Sequence, residues 1–291
     1  MSNVYQSPDL GKVIELLLAT PITYEGYTQT IDERRKQVIA KVDINRKLDK
    51  ISTFNRFVNG LLEGYGTKGE YQEEQRYQLF KTVIQSFVDV TETNAYKILG
   101  ENKYFRKDRA VKIVMAAKEI VQNDEFIWED YFKEAEDNWE NGFKSDKFLK
   151  IKGIASTTKT SKTRDYAISE FSYYYCAIDR NVSRFMTRTG LVLHGFGKYK
   201  FDYEFGTSPV DNYDFLKQLV LDFCKQTGWA PTSSKGYSPK EIDYMFWLFC
   251  SKTGICKSKP ECSNCPIKSL CLTYQKLYEQ FELEQHSKRE N

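Results

Sequence analysis

The stretch ICKSKPECSNCPIKSLC, residues 255–271, gathers four of the chain's seven cysteines into seventeen positions. Their spacing is Cys256-x5-Cys262-x2-Cys265-x5-Cys271. Four thiolates on so short a segment suit one metal ion or one small cluster, and both zinc and iron–sulfur chemistry accept such a set. Zinc sites more often use two CxxC pairs. A single CxxC flanked by two five-residue gaps fits an iron–sulfur cluster better. Cys176, Cys224 and Cys250 stand in apolar, helix-like surroundings and read as core thiols.

Working outward, 291 residues with 41% hydrophobic and 15% aromatic side chains describe a folding chain of one or two domains, not a disordered one. The first 26 residues hold one short apolar run beside Lys12 and Glu15, which reads as neither signal peptide nor membrane span. The expected location is therefore cytoplasmic, with no membrane partner. Thiols stay reduced in that setting, which favours metal over disulfides for the cluster of cysteines.

Charge is distributed unevenly. Residues 121–140 carry eight acids against one lysine, whereas residues 144–200 carry twelve Lys or Arg against four acids. The acidic run reads as a solvated helix face, and the basic half is a candidate surface for a polyanion.

The periodicity is helical almost throughout. In DRAVKIVMAAKEIV, residues 108–121, Ala110, Ile113, Val114, Ala117, Ile120 and Val121 recur at steps of three and four. SPDLGKVIELLLA opens with Ser7 and Pro8, a fitting N-cap and first-turn pair. EEQRYQLFKTVIQSF, DNYDFLKQLVLDFCKQ and PKEIDYMFWLFCS read the same way, and strands are expected to be minor. Breaks fall at 64–70, 197–212 and 227–240. The expected fold class is all-α.

The cysteine loop resembles the iron–sulfur loop of the endonuclease III family of helix-hairpin-helix DNA glycosylases, with its first gap one residue shorter than the usual six. Pro260 and Pro266 stand close to that family's loop prolines, and Asp243 and Trp247 match the helix that enters the loop. CAIDRNVSRFMTRTG, residues 176–190, is similar to the family segment that carries its catalytic aspartate. Ala177, Ile178, Asp179, Val182, Arg184, Arg188 and Gly190 fall in register. Upstream, FLKIKGI, residues 148–154, resembles the first hairpin helix ending at Gly153, and SKTRDYAISEF resembles the second. The second hairpin glycine is absent.

The resemblance covers about residues 75–275 and implies two helical lobes around a DNA-binding cleft, with a helix-hairpin-helix motif and a C-terminal [4Fe-4S] loop. The expected organisation is an N-terminal helical region, 1–75, packing with the C-terminal lobe; a hairpin domain, 76–192; and an insertion plus iron–sulfur lobe, 193–291.

The same resemblance implies a [4Fe-4S] cluster on Cys256, Cys262, Cys265 and Cys271 that braces a DNA-contacting loop. It implies catalysis by Lys162 and Asp179, with Lys159 a competing nucleophile. Such an amine must lose its proton to attack a sugar carbon, and Lys159 and Arg164 are candidate neighbouring charges for lowering its pKa. A carboxylate stabilises the positive charge that builds on the sugar. Asp179 could equally be an N-cap, and Lys162 a phosphate-binding lysine.

Gly153, Lys159, Arg164, Arg180, Lys257 and Lys259 are expected at the DNA, with Lys268 a further phosphate contact. The segment VIQSFVDVTETNAYKIL, 83–99, is expected to be helical and to offer Phe87 or Val88 as a wedge into the duplex. The expected partner is double-stranded DNA with a damaged or mismatched base, met by a monomer. The implied activity is base excision, bifunctional with AP lyase activity. The alternatives are a monofunctional mismatch glycosylase and a noncatalytic iron–sulfur DNA-binding protein.

Overall fold

The computed structural model describes residues 8–24, 26–63, 70–100, 107–123, 125–139, 146–152, 154, 162–192, 213–231, 233, 235–257 and 259–275. Helices dominate, with little strand, and two compact units emerge. One comprises residues 1–37, 178–237 and 241–291, and the other residues 38–177 and 238–240. The divisions at 37/38 and 177/178 differ from the expected 75/76 and 192/193. Residues 38–75 group with the middle of the chain because α3 (Lys50–Leu61) and α8 (Lys162–Ser169) pack closely on one another. Among the described residues, no helix is long and apolar enough to cross a membrane.

The first unit opens with α1 (Leu10–Leu18), which buries Leu10, Val13, Ile14 and Leu17 along one stripe. Its N-cap is Asp9, whose carboxylate accepts from the Lys12 N–H at 3.1 Å. The expected cap, Ser7, lies outside the described residues. A hairpin of β1 (Pro21–Tyr24) and β2 (Tyr27–Thr30) follows, with Gly26 at φ +83° in its turn. Four-residue strands are too short to announce themselves by alternation. After α2 (Ile31–Asn45), whose residues from 38 onward belong to the second unit, this unit resumes with α9 (Arg180–Thr189), α10 (Tyr213–Gln226) and α11 (Pro239–Cys250). Phe185 of α9 stacks on Phe246 of α11 at 4.1 Å and meets Phe249 edge-on at 5.7 Å.

The second unit contains α3, α4 (Glu70–Val83), α5 (Glu92–Leu99), α6 (Lys107–Val121), α7 (Trp128–Asp137) and α8. Its core is aromatic. Phe57 of α3 meets Trp128, Tyr131 and Phe132 of α7 edge-on, and Phe148 at 4.6 Å. Edge-to-face pairs of this kind add to what apolar burial alone provides. On α6, Ala110, Ile113, Val114, Ala117 and Val121 are buried as the periodicity predicts, while Ile120 is only half-buried. The acidic segment also behaves as expected: α7 buries Trp128, Tyr131 and Ala135 and turns Glu129 and Asp130 outward.

Two expected helices are broken. Residues 83–99 are not one helix: α4 stops at Val83, a 3-10 turn spans Phe87–Asp89, and Thr91 caps α5 through the Asn94 N–H at 3.2 Å. Asp89 accepts from the N–H groups of Gln85 and Ser86 and from the Ser86 hydroxyl, so local side-chain hydrogen bonds outcompete helix continuation. Likewise FLKIKGI begins as a 3-10 turn, Lys147–Lys150, capped by Asp146.

Gly60 fits where nothing larger would. A Cβ there would stand 2.6 Å from the Ala167 Cα. Gly60→Val is expected to lower unfolding stability by about 1–3 kcal/mol, read by denaturant titration.

Glu74 is tied to Arg56 and Lys41, each at 3.0 Å. Burial pushes its carboxyl up, but the two cations more than offset this and hold it down to about 2. A carboxyl that ionises more readily in the folded than in the unfolded chain stabilises the fold above its unfolded value, near 4.5, and gives that up as pH falls toward 2. Unfolding midpoints measured from pH 6 to about 2.5 should therefore fall less steeply for Glu74→Gln than for the natural chain.

Candidate functional site

The chemistry-bearing residues fall into two groups, one in each unit. In the first unit, Cys256, Cys262, Cys265 and Cys271 all line a single small recess of about 20 Å3, together with Arg188 and Phe249. Pro239 opens α11, which delivers the chain to this recess, and Ser251, after its last residue, returns a hydroxyl hydrogen bond to the Leu248 carbonyl at 3.0 Å. Short 3-10 turns at Cys262–Asn264 and Lys268–Leu270 then bend the backbone so that successive cysteines face inward.

The loop is held by α9. Arg184 donates to the Cys250 carbonyl at 3.1 Å and to Asn181 Oδ1 at 2.9 Å. One turn later Arg188 donates to the Lys257 carbonyl at 2.7 Å, to the Cys256 carbonyl at 3.3 Å, and to Cys256 Sγ at 3.5 Å. The Cys271 thiol donates to the Arg188 carbonyl at 3.2 Å. Both arginines are buried.

These contacts set the thiol acidities apart. A hydrogen bond from the buried Cys250 thiol, aided by Arg188, lowers Cys256 to about 6 against the opposing effect of burial. Burial pushes Cys265 up to about 12 and Cys271 to about 11, and raises Cys262 as well. Cys176, Cys224 and Cys250 are buried, as expected of core thiols. Among the described residues, no three His, Cys, Asp or Glu side chains are grouped closely enough to hold one metal ion.

The same α9 starts at Asp179. Asp179 Oδ1 accepts from the Asn181 N–H at 2.7 Å and the Val182 N–H at 2.8 Å, and Oδ2 from the Asn181 side-chain amide at 3.1 Å. The residue is an N-cap and half-buried. Gly190 closes the helix at φ +83°. Arg180, beside the cap, is exposed.

Lys162 belongs to the other unit, where it opens α8 half-buried. Its amine lies 5.6 Å from the centre of the Tyr166 ring, one turn on. Gly153 and Lys159 lie outside the described residues.

Arg164 corrects an expectation. It is fully buried, with Asp146 at 3.0 Å and Asp165 at 2.8 Å, so its guanidinium serves the interior and does not meet DNA. Phe87 is half-buried and packs edge-on against Phe54 at 5.3 Å, a core-side contact. Val88 beside it is 82% exposed on the 3-10 turn, so of the two wedge candidates only Val88 presents its side chain to solvent. Lys257 pairs with Glu261, Lys268 donates to the Ser263 carbonyl at 3.0 Å, and Lys259 is exposed.

Sequence reading placed Arg184 and Arg188 in register without a role, and it missed Gly254. A Cβ on Gly254 would come within 2.3 Å of the Leu248 and Phe249 carbonyls, where the chain folds back under the end of α11. Gly254→Ala is expected to destabilise the fold by about 1–3 kcal/mol in denaturant unfolding. No protein-family model, curated protein or solved structure matches the chain.

Proposed function

We propose that the protein is a base-excision DNA glycosylase with AP lyase activity, carrying a [4Fe-4S] cluster on Cys256, Cys262, Cys265 and Cys271. One observation carries this reading: the helix that begins at Asp179 is also the helix whose Arg184 and Arg188 hold the cysteine loop. Two motifs separated by some 70 residues in the chain are thereby parts of one construction, as a shared function requires.

The cysteine spacing supports a multi-iron core over a single zinc. Zinc draws four ligands to about 2.0–2.3 Å from one point. Such single-ion sites are more often built from two CxxC pairs, and this chain has one CxxC between two five-residue gaps. Three of the four thiols titrate above neutrality, so loading the cluster releases protons and is favoured as pH rises. The cluster's part is to brace the loop; it does no chemistry on the base. The exposed Lys259 and Lys268 would meet phosphates without sequence preference.

In the proposed reaction Lys162, once deprotonated, attacks the sugar C1′, and the C1′–N bond breaks with the base leaving as an anion that takes up a proton. The Asp179 carboxylate offsets the positive charge that develops on the sugar; its cap hydrogen bonds keep its oxygens oriented. The nitrogen now bonded to C1′ gives up a proton and its electron pair opens the sugar ring at the C1′–O4′ bond, O4′ taking up a proton. The resulting imine lets C2′ lose a proton and the 3′ phosphate depart, which cleaves the strand. Val88, exposed on its tight turn, is the candidate to fill the space of an everted base.

A second reading, monofunctional with water as nucleophile, draws on Tyr166. An aromatic face 5.6 Å from the Lys162 amine favours its charged form, which binds phosphate but does not attack.

A panel of duplexes bearing single lesions or mismatches, incubated with and without borohydride, separates the readings. The lyase reading expects a covalent adduct from the natural chain, none from Lys162→Met, and loss of base release in Asp179→Asn. Base release without an adduct supports the monofunctional reading. Iron and sulfide analysis of the purified protein tests the cluster, and zinc in their place would overturn it.

A further inference from the structure

We propose that Arg164 is a positioning residue for Lys162. Clamped between Asp146 and Asp165, its guanidinium fixes the first turn of α8 so that the Lys162 amine faces away from the core. The inference rests on the lyase reading above and adds a residue whose predicted role at DNA its burial removes.

One guanidinium joins three elements. Arg164 Nη1 donates to Asp146 Oδ2 at 3.0 Å, at the cap of the Lys147–Lys150 turn, and Nη2 donates to Asp165 Oδ1 at 2.8 Å within α8. Asp146 Oδ1 accepts from the Phe148 N–H at 2.8 Å, and its Oδ2 from the Tyr131 hydroxyl of α7 at 2.9 Å. The guanidinium carbon sits 5.6 Å from the centre of the Tyr175 ring, and the Tyr175 hydroxyl donates to the Ala135 carbonyl of α7 at 2.7 Å. All side-chain atoms of Arg164, Asp146 and Asp165 are shielded from water. Burial works against the charge on Arg164, but Asp165, Tyr131 and Asp146 more than offset it, so it stays a cation.

Helix geometry turns this into a constraint on the amine. Successive residues advance about 100° around an α-helix, so positions 162 and 164 lie about 200° apart. Because Arg164 is drawn wholly inward, Lys162 is driven to the opposite face, where it is half-buried with Tyr166 one turn along. Apolar side chains in place of the whole buried set, Arg164 with both aspartates, could fill the same space at little cost in stability. What they could not do is tie α8 to the turn before it through two directed hydrogen bonds. Lysine would keep the charge and lose the fork.

The test compares the natural chain with Arg164→Lys and Tyr131→Phe, at a temperature well below the unfolding midpoint of each by circular dichroism. Two quantities are read: the single-turnover rate of borohydride trapping on a duplex that the natural chain processes, and affinity for the same duplex with an uncleavable abasic analogue. Arg164→Lys is expected to trap about 100-fold more slowly with unchanged affinity, the signature of a misplaced amine. Tyr131→Phe, which removes one hydroxyl and little volume, should show a smaller fall of the same kind.

A folded Arg164→Lys that traps at the natural rate overturns the proposal, as does one whose rate and affinity fall by the same factor. If Arg164→Lys does not fold, Tyr131→Phe decides on the same criteria. A natural chain that yields no adduct on any duplex overturns the lyase reading and this proposal with it. Adduct from the natural chain beside an unimpaired variant overturns this proposal alone.

Discussion

Two buried arginines on α9 are the contacts on which the first unit depends. Arg184 and Arg188 bring positive charge into the interior, where it is costly unless hydrogen-bonded. Their partners here include the backbone carbonyls of Cys250, Cys256 and Lys257. A loop rich in turns and poor in regular structure leaves many such carbonyls without a helix or sheet to satisfy them. The arginines meet that need and so fix where the cysteines stand.

The second unit is organised around another arginine, and the contrast is instructive. Its aromatic core, centred on Phe57 and Phe148, packs α3 against α7 through edge-to-face pairs and, among the described residues, includes no ring of α8. The ion pairs of Arg164 tie α8 to the turn that Asp146 caps. Breaking a buried pair by removing one partner costs about 3–5 kcal/mol because the other charge is left uncompensated. Stability from apolar area and placement from a few buried charges are thus separate contributions in this unit.

Much of this was legible in the chain itself. The stripe of α6, the buried Cys176, Cys224 and Cys250, and the solvated acidic face of α7 follow from periodicity and from the cost of burying charge. The reading failed where short-range polar contacts compete with helix. Residues 83–99 carry helix-compatible composition, yet Asp89 and Ser86 close a local turn that breaks them. Asp9 caps α1 because its carboxylate reaches forward to accept from the Lys12 N–H. Such choices between neighbouring polar residues differ by little in free energy, and packing on the rest of the unit settles them.

The sequence by itself determined that the chain is helical and where most helices run, since periodicity is a property of the chain alone. Only the tertiary structure decided what Arg164, Arg184 and Arg188 are for. A basic residue reads the same in a sequence whether it faces phosphate or a buried carboxylate. The distinction arises from which acceptors the fold brings to it, and those lie up to 69 residues away.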